Sequence, residues 1–260
     1  MLHGGRAMSR PQEAVQAELV AVAVGVLDGA PRVLTTSASQ LQLPAGPLRE
    51  DHRSMQAGLR AWVEEKTGLR LGYVEQLYTF ADRDRAGSQR TISVSYLGLT
   101  WLEHGDLERW VSWYDLFPWE DQRDGGALLG ALEPHLRAWA NAEDSERREV
   151  RCRVTFGLDG TDWHPELALQ RYEVLYEAGL VPESPDSREA LPPQIVGPWM
   201  LHDHRRIVAT AMGRLRAKIQ YRPVVFELMP PEFTLGQLQA CVEAIAGQHV
   251  HKQNFRRIVE

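Results

Sequence analysis

Short β-rich runs separated by turn residues fill the first part of the chain. Residues 18–27 are dense in valine and alanine and run into Asp28-Gly29; an extended pattern resumes over 32–36. Two such runs around a turn dipeptide predict a hairpin. Pro44-Ala45-Gly46-Pro47 then predicts a break in the chain. The period changes over 54–66. Met55, Leu59, Trp62 and Val63 recur at helical spacing, Ser54 can cap the start, and Gly68 sits where helices end. Residues 71–80 and 91–99 are again β-rich, across a polar loop at 82–89. The alternation of Ile92, Val94 and Tyr96 predicts one buried face.

The remainder reads as mainly helical. Residues 110–119 are aromatic-dense, and 128–140 carry a helical pattern. Residues 141–149 are almost all charged or small and mark a first boundary. A strand is predicted at 153–156 and a helix over 166–178. Five prolines within 182–198 predict a long loop and a second boundary. Over 203–221, Ile207, Ala211, Leu215 and Ile219 fall at four-residue steps, predicting an amphipathic helix with a basic outer face. A short strand is predicted at 224–228. Thr234 caps a helix that places Leu235, Leu238 and Val242 on one face, Gly247 ends it, and another helix begins within 254–259. Helix, strand, helix, turn, helix is the core order of a winged helix-turn-helix; a three-helix cap fits the same pattern.

Composition narrows the class. The chain has 260 residues and is 43% apolar, enough for one large core or two modest ones. Its two cysteines, Cys152 and Cys241, argue against a disulfide scaffold and a Cys-rich zinc module, and read as cytosolic thiols. The apolar run 19–27 is too short to span a bilayer, and 1–17 lacks the apolar core of a secretory signal. A cytoplasmic protein with no membrane partner is expected. The net charge of −6 hides a split. Residues 201–260 hold nine basic and five acidic side chains, +4, which leaves −10 on the first 200. A basic C-terminal module can meet phosphates, although a solvated helix face has the same composition.

The helix ending Glu64-Glu65-Lys66-Thr67-Gly68-Leu69 resembles the box of Nudix hydrolases. In that box, carboxylates one turn apart bind Mg²⁺ or Mn²⁺, which polarise a diphosphate and activate water. The match is broken in either register. With Glu65, Gly68 and Leu69 aligned, the second glutamate is Lys66 and the Arg-Glu pair is Ala61-Trp62. With Gly46, Arg60, Glu64 and Glu65 aligned, the upstream acid is His52, the acid after Arg60 is Ala61, and the glycine is Thr67. A lysine in the cluster opposes cation binding. No catalytic residue and no metal ligand is therefore assigned, and the residual acids Glu64 and Glu65 read as a solvated helix end. The pairs His202/His204 and His249/His251 lack acidic or Cys companions and read as surface or capping histidines. Neither a phosphate-binding glycine loop nor a Gly-x-Ser-x-Gly elbow occurs.

A longer series of strings carries a second resemblance. It includes Gly72-Tyr73-Val74-Glu75-Gln76-Leu77-Tyr78-Thr79-Phe80, Trp113-Tyr114-Asp115-Leu116-Phe117-Pro118-Trp119-Glu120-Asp121, Arg171-Tyr172-Glu173-Val174-Leu175-Tyr176-Glu177-Ala178-Gly179-Leu180-Val181, Tyr221-Arg222-Pro223-Val224-Val225-Phe226-Glu227-Leu228 and His251-Lys252-Gln253-Asn254-Phe255-Arg256-Arg257. Over roughly 18–260 the chain resembles the NrtR/NadQ-type regulators of NAD biosynthesis, the NadQ-type members most. The resemblance implies an α+β protein: a Nudix-like α/β/α sandwich followed by a C-terminal winged helix-turn-helix whose wing strands would lie past Glu260. It divides the chain into a flexible tail at 1–17, a sensor at 18–140, a connecting segment at 141–200 and a DNA-binding domain at 201–260.

The function implied is a dimeric transcriptional repressor that grips operator DNA and senses an NAD-related nucleotide (ADP-ribose, NAD or ATP), with no required cofactor. On that reading Lys252, Arg256 and Arg257 meet phosphates or guanine edges, and Gln253 and Asn254 read adenine or cap a helix. Phe255 and Ile258 face the core. Arg205, Arg206, Arg214 and Lys218 contact backbone phosphates. Arg83, Arg85 and Arg90 hold the effector's phosphates or form a solvated loop, and Trp113, Tyr114 and Trp119 stack on its base or pack in the core or a dimer interface. Two other readings stay open: a Nudix hydrolase cleaving ADP-ribose or a related nucleoside diphosphate derivative, and a ligand-binding dimer without either activity.

Overall fold

The computed structural model describes residues 16–36, 40–80, 91–105, 107–142, 144–187, 191–251 and 255. Strand β1 (Gln16–Leu27) is its spine, with every residue from 19 to 25 buried. Asp28 and Gly29 both take positive φ, 51° and 70°, the geometry that lets a two-residue turn match strand twist. The chain returns as β2 (Ala30–Leu34), with Val24 opposite Val33. The 44–47 segment, expected as a break, supplies a short strand, β3 (Ala45–Pro47), on the same edge of β1 as β2 but at its other end. Strand β4 (Val74–Phe80) lies antiparallel to β5 (Thr91–Leu99), which runs parallel to β1. Strand β6 (Trp110–Ser112) closes the order β4-β5-β1-β2-β6.

Successive side chains on β1 point to opposite faces, and both faces are covered. Leu19, Ala21 and Ala23, with Val94 and Tyr96 of β5, pack under Leu59 and Val63 of α1 (Met55–Thr67). Val20, Val22 and Val24, with Leu97 and Leu99, pack under a helical layer. The alternation in β5 is thus misleading: Val94–Leu99 are all buried, because helices cover both sides. Ser95 enters the core by donating from its hydroxyl to the Tyr78 carbonyl at 2.9 Å.

The helical layer is built from α2 (Trp113–Leu116), α3 (Ala127–Ala140), α4 (Ser145–Phe156), α5 (Ala168–Glu177), α6 (Pro193–Val196), α7 (His204–Lys218) and α8 (Leu235–Ala246). Three expectations fail here. The strand at 153–156 is the last turn of α4, where the Thr155 hydroxyl donates to the Arg151 carbonyl and Gly157 ends the helix in a left-handed conformation. The strand at 224–228 is a 3₁₀ helix, Pro223–Leu228, with proline at its first position and Val224, Val225 and Leu228 buried. The proline-rich stretch contains α6, whose Val196 joins the core with the following Met200.

The two cap predictions hold. The Ser54 hydroxyl accepts from Ala57 N at 3.1 Å, and Gly68 closes α1 at φ 71°. Thr234 Oγ1 accepts from Gln237 N while Gln237 Oε1 accepts from Thr234 N at 2.7 Å, a complete capping box on α8. Thr234→Ala should cost about 1 kcal/mol of stability. Urea titration checks this; an unchanged midpoint would deny the cap its role.

Candidate functional site

The broken Nudix box lies on α1. Its retained acids face cations rather than one another. Glu64 Oε1 accepts from Arg70 Nε at 2.8 Å, and Glu65 lies 3.6 Å from Lys66, all four side chains half-exposed or more. Arg60 is not part of any acid cluster; it donates to the carbonyls of Leu71 and Gly72 and ties α1 to the approach to β4. Among the described residues no group of three or more His, Cys, Asp or Glu could hold a metal ion. The described residues of α1, with their acids turned to Arg70 and Lys66, do not fit the divalent metal that a Nudix box serves.

Beside α1 lies an open cleft of about 300 Å³, lined by Arg49, Asp51, His52, Arg53, Trp62 and Glu65 among others. Two glycines shape it. A Cβ at Gly46 would fall on the Trp62 indole, and one at Gly58 would fall on the His52 ring, so these rings lie directly on backbone. His52 Nδ1 accepts from Arg49 N at 3.2 Å, which fixes the turn carrying both. Two guanidinium groups, an imidazole and an indole around one cleft can meet a diphosphate and a ring system.

Helix α7 departs most from its sequence reading. Its basic residues do not form an outer face. Arg205 is fully buried; it pairs with Glu183 at 3.1 Å, donates to the carbonyls of Leu116 and Val196, and sits among the rings of Phe117, Trp119 and Tyr172. Lys218 is also buried, donating to Glu75 and, at 2.8 Å, to the Tyr73 hydroxyl. Burial works against its charge, yet these partners outweigh it and raise the pKa. Arg206 pairs with Glu173 at 2.7 Å and covers the Tyr176 ring. These three are committed to the fold, so their expected phosphate contacts are withdrawn. Arg214 keeps a half-exposed side chain, 3.8 Å from Glu75.

Trp119 is withdrawn as a base-stacking residue as well. It has no exposed surface, and its Nε1 donates to Glu120 Oε1 at 3.0 Å. Lys252, Gln253, Asn254, Arg256, Arg257, Arg83, Arg85 and Arg90 lie outside the described residues. So does Ile258; Phe255, expected to face the core, is buried in it. Of the histidines, His249 meets Glu243 at 3.3 Å, and His204 Nδ1 accepts from the Leu43 N–H at 3.0 Å.

One constellation was not anticipated. Glu120 has no exposure and lies between two equally buried guanidinium groups. Arg171 of α5 donates from Nε and a terminal nitrogen to its two oxygens at 2.7 and 2.9 Å, and Arg216 of α7 donates to the second. Burial opposes ionisation of the carboxyl, and the two guanidinium groups outweigh it, holding its pKa below the ordinary value. The partners stand 51 and 96 residues away, so no spacing rule reveals them.

Comparison with known proteins places this architecture. The fold is a Nudix-like sandwich with a winged helix at its C-terminal end. It matches Shewanella oneidensis NrtR, crystallised alone and with a 27mer DNA, at a TM-score of 0.52 and 19% identity, covering 94% of this chain and 84% of the protein crystallised alone. It also matches a MutT/nudix family protein from Enterococcus faecalis at a TM-score of 0.54 and 14% identity, covering 96% and 83%.

Residues 225–260 match the model of the NrtR DNA-binding winged helix domain, and the chain resembles the NrtR-type regulators. Over 55 residues, 21% of this chain, it is 42% identical to the ADPR responsive transcriptional repressor NtrR of Acinetobacter baylyi; that segment spans only 22% of the relative's length. Helix α7 lies outside the matched winged-helix segment, in keeping with its buried cations. No helix among the described residues is long and apolar enough to cross a membrane.

Proposed function

We propose that this protein is a DNA-binding repressor of NAD biosynthesis genes that acts as a homodimer and is controlled by ADP-ribose. The observation that carries the reading is the match of 225–260 to the NrtR winged helix, joined to a sandwich whose Nudix box has lost key acids. ADP-ribose is chosen over NAD or ATP because the Acinetobacter relative is described as ADPR responsive. In this account 18–140 form the sensor, 141–200 connect, and 201–260 meet DNA in the cytoplasm. Lys252, Arg256 and Arg257 bind phosphates or guanine edges, Gln253 and Asn254 read adenine, and Arg214 adds a backbone contact. A dimer would present two such units to a two-fold operator.

The cleft on α1 is the effector site in this reading. Arg49 and Arg53 would fork onto the diphosphate, and Trp62 would meet a ring. Arg83, Arg85 and Arg90 remain candidates for the same anion. Calorimetric titration with ADP-ribose tests the site. Arg49→Ala with Arg53→Ala should weaken binding at least about tenfold, the loss of charge-assisted hydrogen bonds worth roughly 1.5–3 kcal/mol each. In the same samples with Mg²⁺, ADP-ribose should stay intact. Release of AMP would instead identify a hydrolase.

A further inference from the structure

The last turn of α8 is held by groups that do not belong to it. A helix leaves its final four carbonyls without internal donors. Here the Tyr114 hydroxyl donates to the Ala244 carbonyl, and Arg216 Nε donates to the Ile245 carbonyl at 2.8 Å. Just beyond the helix, the backbone N–H of Gln122 donates to the Gly247 carbonyl at 2.8 Å. Tyr114 and Gln122 come from the stretch between β6 and α3, and Arg216 comes from α7.

The approach is close. Gly247 takes φ 69°, and a Cβ there would collide with the Glu120 carbonyl and lie 3.1 Å from both the Arg216 guanidinium and the Tyr114 hydroxyl. Arg216 is anchored in turn by the Glu120 carboxylate and the Pro165 carbonyl. The Tyr114 ring lies under the Arg123 guanidinium at 5.1 Å, and Arg123 is itself paired with Asp121 at 2.7 Å.

Apolar packing holds α8 near the sandwich but is non-directional. Donors aimed at its terminal carbonyls fix where its end points. Beyond Gly247 the chain runs on to His251, whose carbonyl accepts from Phe255 N at 3.0 Å. We infer that Tyr114 and Arg216 are positioning residues for DNA recognition: Tyr114 directly, and Arg216 through its hold on Glu120, clamp the C-terminal end of α8 to the stretch between β6 and α3 and so set the segment that follows it. An effector bound to the sandwich can change DNA affinity only if the two parts have linked states, and this clamp is a direct physical link. The inference rests on the DNA-binding reading above.

Tyr114→Phe in the full chain tests it, because the ring stays and only the hydroxyl is lost. Hydrogen exchange, which needs no DNA, should quicken up to about tenfold in peptides covering 244–251, the worth of one hydrogen bond, and stay unchanged in α1 and β5. Anisotropy with a labelled duplex from upstream of the host's NAD-biosynthesis genes should show weaker binding and a smaller effect of ADP-ribose on it. ADP-ribose affinity itself should hold. Arg216→Lys, which keeps the charge beside Glu120 but loses the fork, serves if Tyr114→Phe does not fold, and the same changes are expected. Exchange at wild-type rates over 244–251, or wild-type DNA affinity and ADP-ribose response together, would overturn the clamp. If wild-type protein binds no duplex, the functional reading fails while exchange still decides whether the clamp exists.

Discussion

Glu120→Gln should destabilise the fold by about 3–5 kcal/mol, the usual penalty for removing one partner of a buried ion pair. Its carboxylate accepts from Arg171, Arg216 and Trp119 in a site without solvent. Arg171 also donates to the carbonyls of Thr155, His164 and Pro165 and lies on the Trp163 ring at 3.8 Å. Neutral glutamine would leave two buried guanidinium groups without a counter-charge and would aim an amide N–H at one of them. Because the cluster joins the stretch after α2 to α5 and α7, the loss should be global.

The same carboxylate predicts an acid limb. Its folded pKa lies below the ordinary 4.5, so its contribution is fully present above that value and is lost as pH falls through the lower, folded value. Urea denaturation of wild type and Glu120→Gln across that range checks both effects. The two curves should converge as the medium becomes more acidic. A difference below about 1 kcal/mol at neutral pH would contradict the account.

Combined replacement of Lys252, Arg256 and Arg257 by alanine should lower DNA affinity at least about a hundredfold at moderate salt, and should reduce the slope of log affinity against log salt by about 3. These are the basic side chains within the matched winged-helix segment, and the proposed function puts them against DNA. Binding should weaken for specific and non-specific duplexes alike, since phosphate contacts carry no sequence information. By contrast, Arg205→Ala and Lys218→Ala should act through stability, because both side chains are buried against Glu183 and Glu75. A salt slope that falls with Lys218→Ala but not with the triple variant would reverse this assignment. Equilibrium anisotropy at several salt concentrations distinguishes the two.

What the sequence revealed and what it concealed divide along physical lines. Local signals were legible. Asp28-Gly29 made its hairpin, Ser54 and Gly68 bounded α1, and Thr234 and Gly247 bounded α8, because each acts on backbone groups within a few residues. Signals of few residues misled. Arg153-Val154-Thr155-Phe156 alternates like a strand, yet it continues a helix already begun at Ser145.

Tertiary placement was concealed. The four-residue period of Ile207, Ala211 and Leu215 gave α7 correctly, but not that Arg205, Arg216 and Lys218 would be buried with acids from elsewhere. Long side chains can carry charge inward when a partner awaits, and that partner is invisible in one-dimensional spacing. Trp119 misled for the same reason: its indole satisfies a buried carboxylate instead of facing a ligand. The broken Nudix box was readable in both registers, and α1 shows its remaining acids facing Arg70 and Lys66.

The most direct test of the account is fluorescence anisotropy of the full chain with a duplex from upstream of its host's NAD-biosynthesis genes, in excess non-specific competitor, before and after ADP-ribose. The account predicts specific binding that ADP-ribose relieves at concentrations where NAD and ATP do not. Binding that is absent, or indifferent to ADP-ribose, would contradict it.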